Sequence, residues 1–287
     1  MQILDHRLRA ADGLELFVRE YRPDGAPVGP PVLCVPGLTR NHRDFAPLAE
    51  SLAATHRVLS PDLRGRGQSG WDANPANYQP LVYVGDLLSL LAALDVPRVF
   101  WIGTSLGGLL AMMAAALRPG LLAGAVLNDI GPEIDPAGAA RIASYVGQLP
   151  PVRSWEDAAA QARLVNGAAL PDFTDADWLR FARCAYRDDG SGVPVPDMDP
   201  RIGDAMRGAA APVPDLWPLF RALAAVPTLV IRGVLSDILS AATLARMQQE
   251  KPDLETLVLP GRGHAPTLDE PATRVAIHRL LERISAT

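Results

Sequence analysis

The chain has 287 residues, 48% of them hydrophobic, and its 27 Lys and Arg against 32 Asp and Glu give a formal net charge of −5. This length fits one large core with an insertion better than two independent domains, and the lack of a basic cluster argues against a nucleic-acid partner. Two Cys do not make a disulfide framework, and the first residues lack the apolar core of a signal peptide, so we expect a cytoplasmic protein.

The N-terminal part predicts a hairpin followed by alternating strands and helices. Two strands lie within residues 3–21, with the turn-forming pair Asp12-Gly13 between them. A third strand, Pro31–Val35, leads into the loop Pro36–Asn41 and a helix over Asp44–Ala54. Strands and helices continue to alternate through the first half of the chain, which predicts an α/β fold with a mostly parallel central sheet and helices on both faces.

The most informative stretch is the G-x-S-x-G pentapeptide Gly103–Gly107. It follows the apolar, strand-forming run Val99–Ile102 and opens the helical pattern Leu106–Leu117, and this context is typical of a nucleophile elbow. We expect the tight turn to hold Ser105, the predicted nucleophile, in a strained backbone conformation that exposes its hydroxyl. The uncharged stretch from Val99 to Leu117 is long enough to suggest a membrane span. The elbow divides it into a strand and a helix, so no membrane partner is predicted.

A serine hydroxyl needs a histidine to take its proton and an acid to orient that histidine. Of the five histidines, His264 alone lies late in the sequence in a loop directly after a strand, Thr256–Leu259. We therefore predict His264 as the general base. The other histidines are expected to be surface, packing or site-lining residues: His6, His42, His56 and His278.

Two aspartates are candidates for the acid, because each follows a strand whose carboxyl end faces the expected site. Asp237 lies in the loop after the strand Pro227–Gly233, and Asp129 ends the earlier strand Ala125–Asn128. We favour Asp237, since its strand is the one expected between the nucleophile and the histidine along the chain. Asp129 is then expected to hold the start of the insertion that follows it.

An oxyanion hole needs one backbone N–H directly after the nucleophile and a second from the loop after the third strand. Leu106 supplies the first. For the second we predict Leu38, which follows Pro36-Gly37 at the start of its loop. Leu38 and Leu106 are thus the predicted substrate-binding residues.

The alternation of strands and helices breaks at Gly131-Pro132 and resumes near Pro227. The segment between is helix-rich, with helical patterns near Trp155–Val165 and Asp175–Tyr186 and a proline-rich loop at Val193–Pro196. It predicts a helical cap over the nucleophile. The expected bounds are 132–225 for the cap and 1–131 with 226–287 for the core.

Five motifs in chain order resemble those of the α/β-hydrolase fold superfamily, in its capped branch of serine esterases, enol-lactonases and C–C bond hydrolases. The motifs are Pro36-Gly37-Leu38, Asp62–Ser69, Gly103–Gly108, Gly233–Asp237 and Gly261–His264. The resemblance implies the α/β-hydrolase fold, with the cap inserted after the sixth strand. Relatives commonly carry His where this chain has Pro36, so we expect Arg40 or Asn41 to help to hold the oxyanion loop. Ser rather than Asp as nucleophile argues against the dehalogenase and epoxide-hydrolase branches.

We therefore predict a carboxylesterase-type serine hydrolase that cleaves esters of small, largely apolar, neutral molecules through an acyl-enzyme. The predicted cap carries thirteen acidic and nine basic residues, and an acidic lid weakly repels anions. An enol-lactonase or C–C bond hydrolase stays open as an alternative, favoured if Arg40 points into the pocket, and a non-catalytic receptor is a third. The glycine pattern Gly65–Gly70 does not open a helix, so neither a dinucleotide cofactor nor a metal is predicted. Monomer and homodimer both stay open.

Overall fold

The computed structural model describes residues 1–207 and 215–286, and residues 208–214 of the predicted cap and Thr287 lie outside this description. The strands are β1 (Gln2–Arg9), β2 (Glu15–Arg22), β3 (Val32–Val35), β4 (Val58–Pro61), β5 (Val99–Thr104), β6 (Leu122–Asn128), β7 (Tyr186–Asp188), β8 (Pro194–Pro196), β9 (Thr228–Gly233) and β10 (Glu255–Leu259). The α-helices are α1 (Ala46–Leu52), α2 (Pro80–Ala93), α3 (Leu106–Leu117), α4 (Pro136–Tyr145), α5 (Trp155–Asn166), α6 (Asp175–Ala185), α7 (Arg201–Arg207), α8 (Trp217–Arg221), α9 (Ala241–Glu250) and α10 (Pro271–Ser285). Short 3-10 helices cover His42–Phe45 and Pro75–Asn77.

Eight strands form one sheet in the order β1-β2-β4-β3-β5-β6-β9-β10. β2 runs antiparallel to its neighbours β1 and β4, whereas the remaining neighbours pair in parallel. The predicted α/β fold with a mostly parallel central sheet is thus confirmed. Because β5 lies between β3 and β6, the loops that follow these three strands meet at one edge of the sheet.

Helices cover both faces of this sheet, because successive strand residues point to opposite sides. On one face Leu33 and Trp101 belong to the apolar cluster that includes α2 and α3. On the other, Cys34 and Phe100 pack in the cluster that includes α1 and α10. Within residues 1–207 and 215–286, none of the helices has the length and apolar character needed to cross a bilayer.

The helical insertion follows β6, the sixth strand of the chain, and the sheet resumes at β9. We call residues 132–225 the insertion. Its helices α5 and α6 match the predicted helical patterns to within one residue, and Thr174 and Asp177 form a capping box at the start of α6. The prediction of a loop at Val193–Pro196 is wrong, because Val195 pairs with Arg187 in the small β7–β8 ribbon. Proline is tolerated in such a two-stranded edge pair.

One part of the insertion is joined to the core through backbone hydrogen bonds. We call Asp197–Asp199 the anchor segment and Asp62–Ser69 the β4 turn. The N–H of Gly67 donates to the Asp197 carbonyl at 3.0 Å, and the N–H of Asp199 donates to the Gly65 carbonyl at 2.7 Å. Between these two bonds lies an antiparallel bridge of the turn with the anchor segment. The anchor segment and the β4 turn therefore pair as a short antiparallel piece of sheet.

Candidate active site

Ser105 sits on the strained turn between β5 and α3, with φ 52° and ψ −115°. Such a conformation costs on the order of 1–3 kcal/mol in a non-glycine residue. Glycines make the turn possible: a Cβ on Gly103 would lie 2.2 Å from the Gly107 carbonyl oxygen, and one on Gly107 would lie 2.1 Å from that of Val35. The Ser105 N–H donates to the Asn128 carbonyl at 2.9 Å, which ties the turn to β6.

A chain of hydrogen bonds links Ser105, His264 and Asp129. The Ser105 hydroxyl lies 2.8 Å from His264 Nε2, and His264 Nδ1 lies 2.8 Å from Asp129 Oδ2. The histidine side chain is 9% exposed and the aspartate side chain is fully buried. The structure therefore brings the predicted nucleophile and the predicted base into direct contact, with the residues in the chain order Ser, Asp, His.

The Asp129 carboxylate is fixed by three donors. Its Oδ1 accepts the N–H of Gly233 at 2.9 Å. Its Oδ2 accepts the Ser236 hydroxyl at 2.5 Å as well as the contact from His264. The backbone N–H of Asp129 donates to the Ile231 carbonyl at 2.8 Å. β9 and the loop after it thus hold the carboxylate in place, and its remaining partner is the imidazole.

The prediction that Asp237 orients His264 is wrong in this structure. Asp237 forms a bidentate ion pair with Arg141 of α4, at 2.5 and 2.9 Å, and its side chain is 38% exposed. The hydrogen bond from Arg141 is the main reason why the pKa of Asp237 is lowered. After β9 the chain turns so that Ser236, one residue earlier, faces the site. The carboxylate that contacts His264 comes instead from the end of β6, which lies directly beside β5, whereas β9 lies one strand further away.

The loop after β3, which is the predicted oxyanion loop, lies against Ser105. A Cβ on Gly37 would be 3.7 Å from that of Ser105. The Arg40 N–H donates to the Gly37 carbonyl at 3.2 Å and closes a turn that leaves the Leu38 N–H unused. Leu106 is the first residue of α3, where a helix has no internal acceptor for the N–H. Leu106 therefore directly follows Ser105, Leu38 follows the glycine that lies against it, and neither N–H is used by its own turn or helix.

The expectation that Arg40 or Asn41 helps to hold this loop is met by the backbone N–H of Arg40, whereas the side chains of both residues bind elsewhere. Arg40 forms an ion pair with Asp44, with both distances 2.6 Å. The Asn41 amide donates to the insertion, to the Cys184 carbonyl at 2.8 Å. The Leu38 carbonyl instead accepts from Nε of a distant arginine in the β4 turn, at 2.8 Å. The loop is thus held both by its own turn and by a side chain from outside its segment.

A cavity of about 470 Å³ opens over Ser105 and His264. The core contributes the loop after β3 and the loop that carries His264, and α4, α5 and α6 of the insertion contribute the opposite side. Its aromatic lining residues are Phe45, Tyr145, Phe173 and Phe181. Cys184 also lines it, and burial raises the pKa of this thiol. The cavity has the size of a small-molecule site.

Each arginine that lines the cavity has a carboxylate partner. The pairs are Arg40 with Asp44, Arg43 with Asp197, Arg180 with Asp177, and Arg262 with Asp172 and Glu270. The Arg40 guanidinium also stacks on Phe181, 4.0 Å from the ring centre. Burial by itself lowers the pKa of Arg40, but the charge and hydrogen bonds of Asp44 outweigh it and raise the pKa. The cationic wall is therefore largely neutralised.

A model of the alpha/beta hydrolase family matches residues 32–277. The chain belongs to this family. An alpha/beta hydrolase from Novosphingobium aromaticivorans with a crystal structure is 48% identical, with a TM-score of 0.92 and 98% of each chain covered. The 3-hydroxybutyrate-oligomer hydrolase of Cupriavidus necator is 35% identical, with 88% of each chain covered. The 2-(acetamidomethylene)succinate hydrolase of Mesorhizobium japonicum is 29% identical, with 82% of each chain covered.

The structure of this hydrolase adds site residues that the sequence did not indicate. In the sequence, Ser236 belongs to one of the five motifs and the arginine that reaches Leu38 belongs to a glycine-rich turn, but neither position indicates a role in the site. Chain order offered no signal for either, because both act through contacts between distant segments. Within the described ranges, no group of three or more His, Cys, Asp or Glu side chains is arranged to hold a metal ion.

Proposed function

We propose that this hydrolase cleaves carboxylic ester bonds through an acyl-enzyme on Ser105. The observation that carries the proposal is the hydrogen-bond chain from Ser105 through His264 to a buried carboxylate, at the floor of a cavity. Asp129 accepts from Nδ1 of His264, which selects the tautomer whose Nε2 is free to take a proton. Ser105 Oγ then attacks the ester carbonyl carbon while its proton passes to His264.

The developing oxyanion is stabilised by backbone N–H groups. Leu106 and Leu38 provide them, because Leu106 directly follows Ser105, Leu38 follows the glycine that lies against it, and neither N–H is used by its own turn or helix. The proton on His264 then passes to the leaving alcohol. In the second half of the reaction His264 takes a proton from water, the hydroxide attacks the acyl carbonyl, and the proton returns to Ser105 as the acid leaves.

We propose neutral ester groups of small molecules as the substrates. Carboxylate partners neutralise the cationic wall of the cavity, so a free carboxylate beside the scissile bond gains little there. An oligomer of 3-hydroxybutyrate, on which the relative from Cupriavidus necator acts by its name, is a chain of ester bonds. This relationship supports a short ester or oligoester. The approach of the insertion to the cavity supports residues 132–225 as the cap, and two free thiols, Cys34 and Cys184, support a cytoplasmic location.

A second candidate is an enol-lactonase or a C–C bond hydrolase that uses the same triad. One relative is named for a succinate, which is a dicarboxylate. Arg40 lines the cavity, and Asp44 occupies its Nε and Nη2 but not its Nη1. A substrate carboxylate that displaced Asp44 would change the preference of the site from neutral to anionic molecules.

The test measures kcat/KM for p-nitrophenyl butyrate and for its carboxylate-bearing analogue, mono-p-nitrophenyl succinate. We expect the neutral ester to be the better substrate, and Ser105→Ala to lower its kcat by about 10³-fold or more. A strong preference for the anion that is lost in Arg40→Met, but not in the exposed control Arg153→Met, would favour the second candidate. Failure to hydrolyse any ester would contradict the proposed function and leave the receptor or C–C hydrolase.

A further inference from the structure

Arg66 of the β4 turn is a fully buried arginine without a carboxylate partner among the ion pairs of the described residues. Its Nε donates to the Leu38 carbonyl at 2.8 Å and its Nη1 to the Arg64 carbonyl at 2.6 Å, while the buried Nη2 meets no hydrogen-bond acceptor in the part of the chain that the structure describes. The guanidinium lies 4.6 Å from the ring centre of Tyr83. Burial of an uncompensated charge is costly, so stability alone does not account for an arginine at this position.

The neighbouring arginine shows what a purely structural side chain looks like in the same turn. Arg64 is equally buried, but it pairs with Asp86 at 2.6 Å, Asp72 at 2.5 Å and Asp12 at 2.8 Å. These carboxylates compensate its charge and join the turn to α2 and to the N-terminal hairpin. Among the described residues Arg66 has no such partner, and its Nε instead donates to a carbonyl of the oxyanion loop.

We propose that Arg66 is a positioning residue of the oxyanion hole. This inference rests on the proposed function. Leu38 lies between two peptide groups that are both held: the one before it through the bond from Arg40 N–H to the Gly37 carbonyl, and the one after it through Arg66 Nε. Together these bonds fix the direction of the Leu38 N–H. The uncompensated charge of Arg66 also favours the negative charge that develops beside this loop.

A second contact from the same turn holds the far end of the oxyanion loop. Asp62, which is buried, accepts the N–H of His42 at 2.7 Å and its ring Nδ1 at 2.9 Å. The β4 turn therefore clamps the loop at both ends, through Arg66 at Leu38 and through Asp62 at His42. Pro36 has no side-chain donor with which to hold the loop, and this clamp supplies that support instead.

The experiment compares Arg66→Met and Arg66→Lys with Arg57→Met. Arg57 is a suitable control because it is also a largely buried arginine, but its partners are Glu20 and the Leu94 carbonyl. The readouts are kcat and KM for p-nitrophenyl butyrate, the melting temperature, and Ki for a trifluoromethyl ketone. This ketone reacts with a serine nucleophile to form a tetrahedral oxyanion, so its affinity reports on the oxyanion hole.

We expect Arg66→Met to lower kcat by about 10- to 100-fold while KM changes by less than about threefold, because a displaced donor weakens transition-state rather than ground-state binding. The Ki of the ketone should rise in proportion to the loss of kcat/KM. Arg66→Lys keeps the charge without the planar guanidinium and should recover only part of the rate. Arg57→Met should lower the melting temperature and leave kcat within about threefold.

Wild-type kcat and Ki in folded Arg66→Met would overturn the inference, as would a loss confined to KM. If Arg66→Met does not fold, Arg66→Lys decides by the same two readouts. The proposed function is tested separately by wild-type ester turnover and its loss in Ser105→Ala. A protein that passes that test, with Arg66 variants as active as the wild type, refutes this inference alone.

Discussion

Replacement of Asp129 by asparagine separates the two aspartates that the sequence left as candidates. Asparagine has one acceptor oxygen and one NH₂ group, whereas Asp129 uses both oxygens as acceptors. If the amide oxygen faces His264, the NH₂ group faces the N–H of Gly233, and two donors then meet without an acceptor. If the NH₂ group faces His264, Nδ1 must accept, and Nε2 then carries the proton and cannot take one from Ser105.

Both orientations are costly, and the second removes the general base. Loss of the triad acid in this way lowers kcat by about 10⁴-fold, which corresponds to about 5 kcal/mol at 1.36 kcal/mol for each factor of ten. The loss of hydrogen bonds to a buried charge, each contributing about 1.5–3 kcal/mol, should also lower stability. We expect Asp129→Asn to fold with a reduced melting temperature and to lose nearly all ester turnover.

Asp237→Asn is the matched control. The side chains of Arg141 and Asp237 are 36% and 38% exposed, so their ion pair contributes only about 0–1 kcal/mol to stability. Its loss should leave kcat within about threefold of the wild type. The assay measures kcat for p-nitrophenyl butyrate at a temperature well below both melting points, with circular dichroism to verify folding. A larger loss in Asp237→Asn than in Asp129→Asn would refute the reasoning.

Three further changes probe the same site. Ser236→Ala removes one hydrogen bond to Asp129, and we expect kcat to fall about tenfold with the fold intact; an unchanged kcat would contradict its role. Ser105→Gly relieves the positive φ and should be more stable than Ser105→Ala by about 1 kcal/mol in urea unfolding, and equal stabilities would argue against strain. Gly107→Ala places a methyl group against a carbonyl of β3 and should destabilise the protein by more than about 2 kcal/mol. Gly85→Ala, in open space on α2, should stabilise it by about 0.5–1 kcal/mol. Equal urea midpoints for the two variants would disprove the packing argument.

The contact between Ser105 and His264 was predictable because the signals for the two residues are local. The elbow needs a strand, two close-packed glycines and a helix within one short stretch, and all three are visible around Ser105. His264 follows a strand late in the chain and has no competitor in that position. Chain order, strand pattern and glycine spacing were therefore sufficient for both.

The carboxylate that contacts His264 was not predictable in the same way, because two aspartates satisfy the same order along the chain. The choice depends on how the loop after β9 turns, which directs Ser236 rather than Asp237 towards the site. The support of the oxyanion loop is also non-local: Arg66 lies 28 residues from Leu38 in the sequence. Proline at position 36, where relatives commonly carry His, indicated that the loop needs other support. The sequence pattern could not indicate which side chain reaches the loop.

The anchor segment makes the insertion a poor candidate for exchange between relatives. The Asp197 carboxylate accepts from Arg43 at 2.5 Å and from Asn41 at 3.3 Å, so it contacts the end of the oxyanion loop and the residues that follow it. Its backbone pairs with the β4 turn. A chimaera that replaced residues 132–225 as one block would cut these bonds along with the substrate-facing helices. A graft that ends before Asp197 would keep them. Diversification of specificity in this scaffold is therefore strongly constrained at the point where the insertion returns to the core.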